Sequence, residues 1–150
     1  PRRQTTQPAR GVAFGDIVTW VKGLGAEVGE IQRADDETYV VVTDGGLSWI
    51  LSFYSCQSDV CGDVQFSAVF ANTSITPDLI ARWNREQRFL KAFYNPAQGE
   101  TPPGGVVQYD VLLLGGRGAD QLNDALAVWL EMVAAFAVHV GYFQPAPAAQ

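Results

Sequence analysis

The chain has 150 residues and a mass of 16.3 kDa, enough for one domain with a sizeable core. With 47% hydrophobic and 17% charged residues, it has the composition of a globular chain and not of a disordered one. Its net charge of −6 argues against a nucleic-acid binder or a protein docked on anionic lipid, since both need a basic surface.

Residues 1–13 read as a polar, flexible leader without periodicity, of the kind left after a signal peptide is removed or a chain is trimmed. A first helix is predicted over Gly15 to Leu24. Phe14, Ile17, Val18, Val21 and Leu24 recur at helical spacing, and Gly25 follows as a stop. A weak strand at Val28 to Arg33 leads through Asp35, Asp36 and Glu37 to a β-branched strand at Tyr39 to Thr43. Asp44-Gly45-Gly46 has the composition of a tight hairpin turn. In the next strand Leu47, Trp49, Leu51 and Phe53 alternate onto one face, and Val64, Phe66, Ala68 and Phe70 repeat the pattern.

The second helix carries a strong start signal: Thr76 as N-cap, Pro77 at the first helical position and Asp78 in the first turn. Ile75 and Ile80 stand at the two positions of a hydrophobic staple. The helix should fade near Phe89 or Leu90, before a short strand at Ala92 to Tyr94. Pro96 to Gly105 reads as a loop and Val106 to Leu114 as a strand. A last helix, Ala119 to Val140, has Leu122, Ala125, Leu126, Trp129, Val133, Phe136 and Val140 on one stripe. Its second half is apolar nearly all round, as expected of a helix wrapped by its own domain or buried against another chain. Glu131 breaks its most apolar stretch, so no uninterrupted run of about 18 apolar residues predicts a bilayer span. A Pro/Ala tail occupies 144–150. The whole predicts an α+β domain over 14–143, an antiparallel sheet with three helices in the order helix, strands, helix, strands, helix.

Few residues suggest chemistry. Cys56 and Cys61 sit at the end of one strand and the start of the next. Such ends can approach within the roughly 4.4–6.8 Å that a disulfide spans, and closing so short a loop stabilises by about 2 kcal/mol. Reduced structural thiols and a metal or redox site stay open as alternatives. A disulfide would place the protein in the periplasm or outside the cell, whereas free thiols would suit the cytoplasm. His139, the single histidine, has no nucleophile in a recognisable setting and reads as a helix-end residue. Gly115-Gly116-Arg117-Gly118 lies where a phosphate loop could, but Gln121 occupies the place of the third glycine and no Lys-Ser or Lys-Thr follows. A strand-to-helix turn explains it better. Asp110, mid-strand among apolar residues, is expected to be buried and hydrogen-bonded.

Arg82, Arg85, Arg88 and Lys91 recur every three residues and read as a solvated helix face, or as a docking strip for an acidic partner. Asn72-Thr73-Ser74 matches a glycosylation sequon. No catalytic set, metal site or cofactor site is readable. Trp49, Phe53, Phe66 and Phe70 could instead line the pocket of a small-ligand or lipid carrier, although core packing explains such a stripe more simply.

Three segments together resemble the YbjN family. They are the strand closing on Cys56 with Cys61 leading into Val64-Gln65-Phe66-Ser67-Ala68; Trp83-Asn84, Arg88-Phe89 and Lys91-Ala92-Phe93-Tyr94; and Asp110, Leu112 to Leu114 and Gly115-Gly116 before a Trp-bearing helix. The resemblance spans residues 14 to 140. It implies an α+β fold like that of type III secretion chaperones, a regulator of bacterial sensory transduction, and a homodimer that binds other proteins. It carries no catalytic residues to transfer. Trp83, Asn84, Phe89, Asp110, Gly115 and Gly116 are motif positions with a structural role expected first: Trp83 in the core, Phe89 capping the helix end, Asn84 bonding to backbone.

Overall fold

The computed structural model describes residues 11–143. The leader up to residue 10 and the tail at 144–150 lie outside the described residues. Strand β1 (Val12–Ala13) precedes helix α1 (Phe14–Gly23), so the last two positions of the expected leader belong to the sheet. Strands β2 (Glu27–Val28), β3 (Gln32–Ala34), β4 (Glu37–Asp44), β5 (Leu47–Gln57) and β6 (Val60–Ala71) follow. Helix α2 (Pro77–Glu86), strands β7 (Lys91–Asn95) and β8 (Gly104–Leu112), a 3₁₀ turn (Ala119–Leu122) and helix α3 (Asn123–His139) complete the order. The strands form an eight-stranded sheet in the order β2-β4-β5-β6-β8-β7, with β1 on β6 and β3 on β4. This is the predicted α+β class. Contacts divide the described residues into two compact units, 11–65 with 110–123 and 66–109 with 124–143.

In the first unit local turn chemistry sets the register. Gly45 and Gly46 take φ of 58° and 84°, the positive pair that a two-residue turn matched to strand twist needs. The turn pairs Asp44 with Leu47, and β4 then runs against β5 as far as Thr38↔Phe53. The single strand expected at Val28 to Arg33 is two strands. Val28 faces Val42 and Gln32 faces Tyr39, a slip of one residue that marks a bulge between them. Phe14, Ile17, Val18 and Val21 of α1 are buried, as are Val40, Val42, Trp49, Leu51 and Phe53 of the strands. The Phe14 ring lies 5.7 Å from that of Phe53, tilted by 37°.

The second unit is built around large rings. Phe66 lies 5.7 Å from Trp129 and 6.2 Å from Tyr109. Phe136 meets Phe70 at 5.8 Å and Trp83 edge-on at 5.1 Å. Helix α2 starts as predicted, with Leu79 N–H donating to the Thr76 hydroxyl at 3.1 Å and Pro in the first turn, and both staple residues, Ile75 and Ile80, are buried. It ends at Glu86, before Phe89. Gly104 and Gly105 belong to β8 and not to the preceding loop; they pair with Asn95 and Tyr94. The glycine at 105 answers a packing demand, because a Cβ there would come within 2.9 Å of Ile80 and 3.0 Å of Phe136. Composition alone had read it as a loop residue.

The final helix begins as the 3₁₀ turn, and its stripe residues Leu126, Trp129, Val133, Phe136 and Val140 are buried. By length and composition the 21-residue run Ala119–His139, with an 18-residue stretch of mean hydropathy 1.3, is long and apolar enough to cross a membrane. The sequence reading asked for an unbroken apolar run, and Glu131 does not lower the average enough to fail this criterion. A core helix meets the same criterion, and Trp129 and Phe136 are fully enclosed here.

Candidate functional site

The family motif Trp83-Asn84 acts on the strand that follows it. Trp83 is buried and its indole Nε1 donates to the Leu90 carbonyl at 3.0 Å. Leu90 has φ of 66°, a left-handed conformation that costs a branched residue about 1–2 kcal/mol and persists only where the surroundings hold it. The Asn84 carboxamide donates from Nδ2 to the Ala92 carbonyl at 2.8 Å and accepts from Ala92 N–H at 2.9 Å through Oδ1. Asn84 thereby imitates a neighbouring strand at one position of β7, the last strand in the sheet order. Exposed edges of this kind recruit foreign strands unless they are covered. Asn84 occupies both backbone groups of Ala92, and Trp83 occupies the carbonyl of Leu90, so the start of β7 is bonded to α2.

The basic residues do not form one helical ridge. Arg82 and Arg85 lie on α2, whereas Arg88 follows the helix and Lys91 opens β7. The even spacing in sequence continued past the helix end and so lost its geometric meaning. Arg82 pairs with Glu86 at 3.5 Å, both more than half exposed, an arrangement worth about 0.3–0.5 kcal/mol. The Arg88 guanidinium sits 5.5 Å over the Phe89 ring. Phe89 is partly exposed and meets Tyr109 edge-on at 6.1 Å. Beside the arginines a recess of about 430 Å³ is lined by Thr76, Asp78, Leu79, Ala81, Arg82 and Arg85. A second, of about 330 Å³, lies by the β7–β8 loop between Val69, Asn95, Pro96, Gln98, Thr101 and Gly104.

Cys56 and Cys61 are joined in a disulfide with Cα atoms 3.9 Å apart, closer than the roughly 4.4 Å lower bound used above. They face one another across the β5–β6 hairpin, where facing residues at a non-hydrogen-bonded pair approach to about 4.5 Å. Ser55 and Ser58 flank Cys56 with φ of 54° and 55°. The two residues differ in access: Cys61 is fully buried and Cys56 is exposed.

Asp110 is exposed, which corrects the expectation of burial. It does accept a hydrogen bond, from Gln65 Nε2 at 3.0 Å. A polar position on an apolar strand found its partner across the sheet and needed no interior site. Gly115 and Gly116 lie in the turn after β8, with φ of 79° at Gly116. Gln121 closes that turn. Its Oε1 accepts from Leu114 N–H at 2.7 Å, and its Nε2 donates to the Leu114 and Gly118 carbonyls, each at 3.1 Å. Sequence reasoning registered Gln121 only as a missing glycine, whereas a side chain with both a donor and an acceptor just after a glycine turn was the available signal.

His139 Nε2 lies 2.7 Å from the Leu79 carbonyl. A carbonyl only accepts, so this ring nitrogen carries the proton, and the residue ties α3 to α2. Asn72, read as part of a sequon, donates to the Val140 carbonyl at 3.1 Å and accepts from Ser74 N–H at 3.2 Å. The four aromatics suggested for a carrier pocket, Trp49, Phe53, Phe66 and Phe70, are all buried, and Phe53, Phe66 and Phe70 pack against neighbouring rings. Partial burial and the nearby Glu37 carboxylate raise the Tyr54 hydroxyl above the ordinary value of 10.0.

An antiparallel α+β architecture with its last strand bonded at Ala92 to the preceding helix is thus the structural class. Residues 16–141 match the family model of YbjN, described as "putative bacterial sensory transduction regulator", and the chain belongs to that family. No curated protein and no solved structure matches it.

Proposed function

We propose that this chain is a non-enzymatic interaction module in bacterial sensory regulation, binding another protein or a second copy of itself through the arginine-bearing face of α2. The observation carrying this reading is that Arg82 and Arg85 stand exposed beside a recess on a chain whose net charge is −6. Positive side chains concentrated on one face of an acidic protein attract acidic surfaces and orient the encounter. A second copy supplies such a surface, and so does an acidic partner protein. The family resemblance supports a fold of the type III secretion chaperone kind and a homodimer. The disulfide fits an oxidising compartment, hence the periplasm or the exterior, over the cytoplasm.

Sedimentation at about 50 µM, in the range where weak homodimers form, tests self-association. A dimer that weakens in high salt and in Arg82→Glu/Arg85→Glu is expected, and a monomer would remove the homodimer from the proposal. A photo-crosslinker at position 85 tests the alternative partner. One discrete adduct, lost on the same charge reversal, supports the α2 face. An adduct indifferent to the reversal sinks it. The carrier reading is less well supported, because its candidate aromatics already pack within the fold.

A further inference from the structure

The β5–β6 hairpin tip is also the anchor for the start of the described chain. Val12 pairs with Cys61 and Ala13 with Val60, and Phe14 N–H donates to the Asp59 carbonyl at 2.9 Å. Gly11 has φ of 122°, and a Cβ there would collide with the Cys61 carbonyl. One cysteine of the disulfide is thus the strand partner of β1, and the other faces solvent. We propose that Cys56 Sγ is a thiol–disulfide exchange site for a protein or small-molecule dithiol, and that exchange there is coupled to the docking of β1 on β6. This proposal does not depend on the α2 face.

The chemistry balances as follows. A dithiol's thiolate attacks the sulfur of Cys56, the exposed residue of the pair, forming a mixed disulfide. The electron pair of the broken S–S bond leaves on Cys61 Sγ, which takes up a proton. The second thiol of the reagent then attacks its own bound sulfur, closing the reagent's disulfide and releasing Cys56 as a thiol. The reagent is oxidised by two electrons and the protein gains two thiols. Attack at Cys56 follows from access, since Cys61 is enclosed. The leaving thiolate emerges at an enclosed position, and burial disfavours a charged sulfur. Lifting β1 off Cys61 exposes that sulfur to water and stabilises the thiolate. Undocking and exchange therefore favour one another, and by linkage reduction weakens the docking of β1 in turn.

The full-length protein is incubated with dithiothreitol, and reduction is followed by alkylation and intact mass. Hydrogen exchange at residues 12–14 is read in parallel, with the amide of Ala92 as a control for the rest of the fold. Trapping with a monothiol should place the mixed disulfide on Cys56. Gly11→Ala, which pushes β1 away from Cys61, should speed reduction about tenfold, within the usual range of coupling between sites. Reduced protein, and Cys56→Ala/Cys61→Ala, should both lose protection at Phe14 with Ala92 unchanged. A mixed disulfide on Cys61, equal reduction rates in both proteins, or full protection at Phe14 after reduction would each overturn the proposal. If Gly11→Ala does not fold, Val12→Thr gives the same comparison with a milder loosening of β1.

Discussion

The two units are fixed by different means. In the first, the backbone itself carries most of the specification. A Gly-Gly turn, a one-residue bulge and a disulfide across a short hairpin set the strand register, and all of them connect residues close in sequence. In the second, side chains tie one element to the backbone of another: Asn72 to Val140 and His139 to Leu79 across long stretches of chain, Trp83 to Leu90 and Asn84 to Ala92 across the α2–β7 connection. Register set by turns depends on conformational preference at a few positions, with modest energies each. Tethers of the second kind are buried or partly buried polar bonds, and losing one partner leaves the other unsatisfied at larger cost.

This contrast can be broken by substitution. Trp83→Ala should have the largest effect, about 3–5 kcal/mol, because it empties a core site and orphans the Leu90 carbonyl. Denaturant unfolding measures it, and a loss under 1 kcal/mol would show that Trp83 is not central to its unit. Asn84→Ala should cost about 1–3 kcal/mol by leaving both backbone groups of Ala92 unpaired. It should also raise self-association, since the edge of β7 is opened. Light scattering on the variant decides whether Asn84 guards that edge.

Gly46→Ala in the first unit should cost about 1–2 kcal/mol, the penalty for a Cβ at positive φ. A cost above that of Trp83→Ala would reverse the comparison. The smallest effect belongs to Tyr54. Its hydroxyl is raised above 10.0 by partial burial and by Glu37, so folding favours the protonated form. The stability it adds is full below pH 10 and fades as pH rises through the higher folded value. Ultraviolet titration should find one phenol ionising late, absent in Tyr54→Phe, and its ionisation should move downward in Glu37→Gln.

The short-range features were legible in sequence. Thr76-Pro77-Asp78 announces a helix start because capping involves only the next few residues. Gly45-Gly46 announces its turn because only glycine takes two positive φ values without cost. The alternation from Leu47 to Phe53 gives the buried face directly. The same local logic misread Arg82, Arg85, Arg88 and Lys91 as one ridge, since nothing in their spacing marks where α2 stops. It also placed Gly104 and Gly105 in a loop, since composition does not reveal that a ring and a methyl group press on the backbone there.

By itself the sequence determined the α+β class, most element positions, the facing cysteines and the family. Those follow from periodicity, turn chemistry and motif order, which are properties of neighbouring residues. Tertiary structure alone decided that Asn84 ties Ala92 of β7 to α2, that Gln121 closes the turn after β8, that Asp110 is exposed, and that Cys61 is buried and paired with β1 while Cys56 is exposed. Each of these depends on which backbone group or strand comes to lie opposite a side chain, and that is settled only when the elements pack against one another.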